Sequence, residues 1–302
     1  MASIGLKVIR RLMNVAEAVS PPLAGRAAFE LFRRTPAPRA MTAGEKRAVE
    51  RAADFMAEAR HHRIRTGAGC LAVHEFRPGQ GRSAGSVLVI HGWRSRTEYM
   101  RSLVEGYRLA GFRVVSLDLP GHGGSLGRRL DMAKAVEAAH VVGQWFGPFE
   151  AVVGHSFGGA VAVNAVAGSI KRFEPLAAAR LVLIAAPSSM PRLFRQFGSH
   201  VRLGPAGYRA LEKRVEQVTG TELRHFDNAG LLAGMPVPTL VIHAQDDREV
   251  PETEARAMAG AGAHVRLFWA NGLGHRRILS DAKVVTEAVG FVADRKEPAL
   301  LH

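Results

Sequence analysis

The chain has 302 residues, 47% of them hydrophobic and 23% charged, enough to bury one large core with an appended subdomain. Its net charge of +14 is dispersed, without a long Lys/Arg run or a nucleic-acid motif, so nucleic acid is not an expected partner. No apolar run reaches the ~18 residues of a membrane span. The single cysteine, Cys70, excludes an intrachain disulfide and leaves no Cys/His cluster for a structural metal.

Residues 1–61 read as an N-terminal helical extension. Ile4, Val8, Leu12, Val15 and Val19 recur at helical spacing, and Pro21-Pro22 is expected to end that helix. A second helix is expected over 24–34, punctuated by Pro36 and Pro38. Thr42-Ala43-Gly44-Glu45 is a capping box that opens a third helix to about residue 60. Residues 1–60 hold 11 Lys/Arg and 6 Asp/Glu, a net +5. A basic amphipathic helix can lie on a membrane surface, but Glu17 and the short length weigh against that. The expectation is that the stripe packs against the domain or a partner chain. Arg10-Arg11 is followed by a stretch broken by Glu17 and two prolines, so no cleaved signal peptide is expected. With one cysteine, the chain suits a reducing cytoplasm.

From His62 the pattern becomes β. Two antiparallel strands joined at Gly67-Ala68-Gly69 lead to apolar strands at 86–90, 112–117, 151–154, 180–185, 237–243 and 264–269. Helices are expected between them at 97–110, 130–146, 160–167 and 253–259, with a last one at 281–293. This alternation predicts an α/β fold, a mainly parallel sheet covered by helices on both faces. Residues 188–235 interrupt it with two or three helices, the position of a helical lid over the strand ends. The core is then 62–187 with 236–302.

The strand at Ala151 runs into Gly154-His155-Ser156-Phe157-Gly158, followed by small, apolar helix formers. A G-x-S-x-G between strand and helix suits a nucleophile elbow, whose flanking glycines give the backbone room. Other strand ends carry His91-Gly92-Trp93, the loop 118–125 (DLPGHGGS), Asp246-Asp247 with Val250-Pro251, and Gly272-Leu273-Gly274-His275. Nucleophile, carboxylate and imidazole thus occur in the order Ser, Asp, His, each in a loop at one end of the sheet.

These loops together closely resemble the α/β-hydrolase fold family over roughly residues 62–294. The resemblance implies Ser156 as nucleophile, Asp247 as acid and His275 as base, with the main-chain N–H groups of Trp93 and Phe157 as the oxyanion hole. Asp246 competes with Asp247, and the D-x-x-V-P register favours Asp247. His264 opens a strand and reads as structural. His91, His122 and His155 read as loop hydrogen-bonders and Asp118 as a loop anchor. No G-K-[ST] appears, and no G-x-G-x-x-G precedes a helix, so nucleotide binding is not expected.

The expected activity is cleavage of a carboxylic ester through an acyl-enzyme, with no metal and no organic cofactor. Serine at the elbow argues against the aspartate-nucleophile branches of the family. The alternatives are thioester hydrolysis, as of an acyl-CoA, or acyl transfer on the same triad, and a non-catalytic ligand-binding member of the fold. In the insertion, Phe194, Phe197, Tyr208 and Phe226 are candidates to contact an acyl chain. The insertion's seven Lys/Arg against four Asp/Glu lean towards an anionic substrate.

Overall fold

The computed structural model describes residues 4–36, 41–67, 69–79, 81 and 83–294. Pro38 and the turn residue Ala68 lie outside them. Helix α1 (Ile4–Val19) leads through Ser20 into α2 (Pro21–Phe32). The two prolines open α2 rather than merely ending α1: the first helical turn tolerates proline because its N–H groups have no intrahelical acceptor. The capping box of Thr42 and Glu45 is present, with both reciprocal bonds, and starts α3 (Ala43–Arg51). That helix does not run unbroken to residue 60; it breaks at Ala52, and a short α4 (Ala53–Ala57) follows.

An antiparallel hairpin, β1 (Arg60–Thr66) and β2 (Gly69–Phe76), opens the sheet. Then come β3 (Ser86–Ile90), α5 (Arg101–Leu109), β4 (Arg113–Asp118), α6 (Met132–Phe146), β5 (Ala151–His155), α7 (Phe157–Val166) and β6 (Leu181–Ile184). Helices α8 (Met190–Val201), α9 (Pro205–Thr219) and α10 (Asn228–Ala233) fill the insertion. The chain closes with β7 (Thr239–His243), α11 (Glu252–Ala259), β8 (Val265–Trp269), a one-turn α12 (Gly274–Arg277) and α13 (Ala282–Ala293). The strands form one eight-stranded sheet in the order β1-β2-β4-β3-β5-β6-β7-β8. β2 pairs antiparallel with β4, and every pairing from β4 to β8 is parallel.

The central strands are buried on both faces, so their residues alternate between two cores. Leu88 and Ile90 join one core with α6 and α7, while Val87 and Val89 join the other with α5 and α13. Truncating one such side chain to alanine costs about 2–5 kcal/mol.

The α1 stripe does not pack against this chain's own domain, the first of its two expected partners. Val8, Leu12, Val15 and Val19 are 53%, 62%, 58% and 75% exposed, and the neighbouring face, with Ile9 and Met13, packs inward. The cause is polar. Glu17 points inward and accepts the main-chain N–H groups of Gly204 (2.9 Å) and Gly207 (2.8 Å) at the start of α9. A carboxylate there satisfies donors that a helix N-terminus leaves free. Arg10 Nε donates to the His200 carbonyl at 2.8 Å. These bonds fix the rotation of α1 and turn its stripe to solvent.

Candidate active site

β5 delivers Ser156 and α7 begins at Phe157, so the serine occupies the strand-to-helix turn. Its φ is 53° with ψ −124°, a region that costs a non-glycine residue roughly 1–3 kcal/mol. Local bonds hold it there: Ser156 N–H donates to the Ile184 carbonyl at 2.8 Å, and its own carbonyl accepts from Gly159 N–H at 2.9 Å. A Cβ at Gly154 would clash with the Gly158 carbonyl, and one at Gly158 with the Ile90 carbonyl. The helix can therefore turn this sharply only with glycine on both sides of the serine.

The turn after β3 lies against the same residue. A Cβ built on Gly92 would fall 2.9 Å from Ser156 Cβ. This brings the Trp93 main chain beside the serine, and Phe157 N–H is the first of α7. Neither N–H has a hydrogen-bond acceptor among the described residues.

His275 sits on α12, a helical turn the sequence reading did not anticipate. Its Nδ1 lies 2.7 Å from Asp247 Oδ2 in the loop after β7. Asp247 is buried, and its Oδ1 accepts N–H bonds from Glu249 (2.8 Å) and Val250 (2.9 Å). Burial alone would raise its carboxyl; the hydrogen bonds from His275 and these main-chain donors outweigh it and hold the group below the usual carboxylate range. Asp246 is exposed and points elsewhere, accepting Gly272 N–H at 2.8 Å.

Ser156 and His275 line one cavity of about 620 Å³. Its walls are mostly apolar: Leu31, Phe32, Leu193, Phe197 and Val250 among them. Arg34 and Arg94 contribute the cations and Glu249 a carboxylate. Of the four aromatic candidates in the insertion, Phe197 lines this cavity and the others do not. Phe194 is buried against Phe32, ring centroids 4.1 Å apart. Phe226 lies in the core, and Tyr208 Oη donates to the Pro191 carbonyl at 3.4 Å. They pack the insertion and α2 against the sheet. The sequence reading missed Leu31, Phe32 and Thr35, which come from the N-terminal segment and carry no motif that marks them.

Comparison with known proteins bears on this geometry. A family model described as the alpha/beta hydrolase family matches residues 87–288. The chain belongs to the alpha/beta hydrolase family. It is 28% identical over 254 residues to a pimeloyl-[acyl-carrier protein] methyl ester esterase of Xanthomonas campestris, a match covering 69% of this chain and 95% of that protein. It is 40% identical over 70 residues to a putative protein-lysine deacylase, ABHD14B, of Pongo abelii, covering 22% of this chain and 33% of that one. Among solved structures, a butyrate-bound esterase of Thermogutta terrifontis, Est2, superposes with a TM-score of 0.61 at 18% identity, covering 82% of this chain and 98% of its own. A putative lipase of Acinetobacter baumannii gives 0.56 at 17% identity, covering 85% and 98%.

In this alpha/beta hydrolase the other polar residues at the strand ends support the loops. Asp118 accepts Thr97 N–H (2.9 Å), Thr97 Oγ1–H (3.0 Å) and Gly124 N–H (2.7 Å), which ties the loop after β4 to the turn after β3. His91 Nε2 accepts Leu119 N–H at 3.0 Å while its Nδ1 donates to the Gly92 carbonyl at 2.8 Å. His122 Nδ1 donates to the Pro120 carbonyl at 3.2 Å. His155 Nε2 donates to the His275 carbonyl at 2.9 Å, so it braces α12 from behind. Burial, and next the neighbouring His275, pushes His155 down to about 3. Burial pushes His122 down to about 4, so both are neutral near pH 7. His264 Nε2 donates to the Leu232 carbonyl at 3.1 Å, away from the cavity lining. Among the described residues no group of three or more His, Cys, Asp or Glu is disposed to hold a metal ion.

Proposed function

We propose that this chain hydrolyses a carboxylic ester through an acyl-enzyme on Ser156, with His275 as general base and Asp247 as its partner. The observation that carries the reading is the 2.7 Å bond between His275 Nδ1 and a buried, ionised Asp247, in a cavity that Ser156 also lines. The carboxylate holds the imidazole with its proton on Nδ1, which leaves Nε2 free to accept the serine proton. Serine Oγ then adds to the ester carbonyl as its proton passes to Nε2. The oxyanion forms beside the Trp93 and Phe157 N–H groups, which have no other acceptor to leave. His275 returns the proton to the departing alcohol, and water, activated by the same imidazole, releases the acid.

The insertion 188–235 acts as a lid in this reading. With α2 it walls an apolar cavity large enough for an acyl chain. Arg34 and Arg94 at that cavity favour an ester or thioester whose other end is anionic, such as an acyl-CoA. The kinship with esterases supports the ester class.

The test is turnover of p-nitrophenyl esters and acyl-CoAs of graded chain length by the wild type and Ser156→Ala. The expected result is a fall in kcat of several orders of magnitude in the variant, leaving only binding and oxyanion contributions. Near-normal turnover by folded Ser156→Ala would overturn the assignment.

A further inference from the structure

We infer that helix α1 docks this protein on an anionic lipid surface, lying in the plane of the interface. The inference stands on the surface of α1 alone and does not depend on the chemistry at Ser156. Val8, Leu12, Val15 and Val19 sit at i, i+4, i+7 and i+11, so they form one outward stripe, and Leu23 of α2, 53% exposed, extends it. A row of apolar side chains this exposed on one helix face is a contact surface awaiting an apolar partner.

The charges beside the stripe select the partner. Between residues 4 and 26 the basic residues are Lys7, Arg10, Arg11 and Arg26, and the acidic one is Glu17. Lys7, Arg11 and Arg26 are exposed, whereas Glu17 is turned inward onto α9. The outward face therefore presents apolar and cationic groups with no exposed carboxylate from this segment, the pattern of an interfacial helix on anionic headgroups. It is a poor match for a second copy. A two-fold interface would set the same cations against themselves.

The short length of α1, which weighed against the membrane surface in sequence, rules out a span but not a helix lying flat. Sixteen helical residues extend about 24 Å, short of the ~30 Å hydrocarbon thickness, and no described helix is long and apolar enough to cross a membrane. Lying flat, α1 would sink its stripe ~5–10 Å into the headgroup boundary. The same helical pair continues to the cavity: Leu31 and Phe32, at the end of α2, line its wall. Docking thus brings the cavity's own wall to the surface from which an acyl ester would enter.

The experiment is flotation of the full chain with vesicles of phosphatidylcholine alone and of phosphatidylcholine with phosphatidylglycerol. The variants are Leu12→Glu/Val15→Glu and Lys7→Glu/Arg11→Glu. Hydrolysis of a soluble short-chain ester and gel filtration accompany each protein. The wild type is expected to float with the anionic vesicles, weakening as salt rises, and each double variant to lose at least about tenfold in partitioning. Soluble-ester turnover stays unchanged, because none of these side chains lines the cavity. Equal binding to neutral vesicles, or no binding to the anionic ones, would overturn the inference. So would a dimer that Leu12→Glu/Val15→Glu dissociates while vesicles are ignored. If the variants lose ester turnover as well, thermal melting separates unfolding from docking, and Lys7→Glu/Arg11→Glu, which changes only surface charge, decides.

Discussion

At the residue scale, two adjacent aspartates divide their work in a way that can be measured. Asp247 is buried and bonded to His275; Asp246 is exposed and caps the turn at Gly272. Asp247→Asn keeps the shape but removes the charge that sets the imidazole tautomer, so kcat/KM should fall by roughly 10³–10⁴. Asp246→Asn should cost less than tenfold. Steady-state kinetics on one soluble ester checks both, and a larger loss in Asp246→Asn would reverse the assignment. His275→Gln should abolish turnover in the same assay. His155, neutral near pH 7 but bonded through Nε2 to the His275 carbonyl, cannot replace it as the base. The strand-to-helix turn at Ser156 and the strand-end loops that carry Asp247 and His275 were legible in sequence because each depends on local turn chemistry. Which aromatic residues line the cavity was less so. Phe194, Phe197 and Phe226 look alike in sequence, and only the register of α8 and the insertion against α2 separates the one that lines the cavity from the two that pack.

At the scale of elements, α2 has the greatest unread consequence. In sequence it is a short helix ahead of the first strand, with no motif linking it to the chemistry. In the structure Phe32 meets Phe194, Phe197 and Trp93, with centroids 4.1, 5.2 and 6.2 Å away, and it lines the cavity. Deletion of the N-terminal segment would therefore remove a wall of this cavity as well as a stabilising layer. Phe32→Ala makes the point with less damage. It should raise KM for long-chain esters by about tenfold or more while changing short-chain esters little, and lower stability by less than the roughly 3–5 kcal/mol that a fully buried Phe costs, since Phe32 is half-buried. A chain-length series with a thermal melt checks both, and an unchanged series would remove α2 from the substrate's path. The rotation of α1 was illegible for a related reason. The helix has apolar residues on two faces, and the choice is made by Glu17 binding Gly204 and Gly207, far away in sequence. By contrast, the sheet and its order of helices followed from alternating apolar runs and turn residues, since each βαβ unit is a local pattern.

At the scale of the whole molecule, buried neutral histidines should govern acid stability. Burial lowers His91, His122, His155 and His243 in the folded chain. Below their unfolded value of ~6.5 the unfolded chain binds more protons than the folded one, so stability is full above about pH 7 and falls as pH drops. His122 and His155, at about 4 and about 3, each contribute up to about 1.4 kcal/mol per pH unit over that window. The depressed Asp247 and Asp118 add further loss once pH falls below the unfolded carboxylate range. The urea midpoint should therefore slide downward between about pH 7 and pH 5, before carboxylates protonate. A midpoint flat across that interval would mean that these rings are charged in the folded state.

The central claim is that one serine, set at the turn between β5 and α7, carries the acyl group. Labelling the folded protein with a fluorophosphonate, followed by intact and peptide mass spectrometry, tests it most directly. A single adduct on Ser156, formed in step with loss of esterase activity and absent from Ser156→Ala, is the predicted result. An adduct on another residue, or full inactivation with Ser156 unmodified, would contradict it.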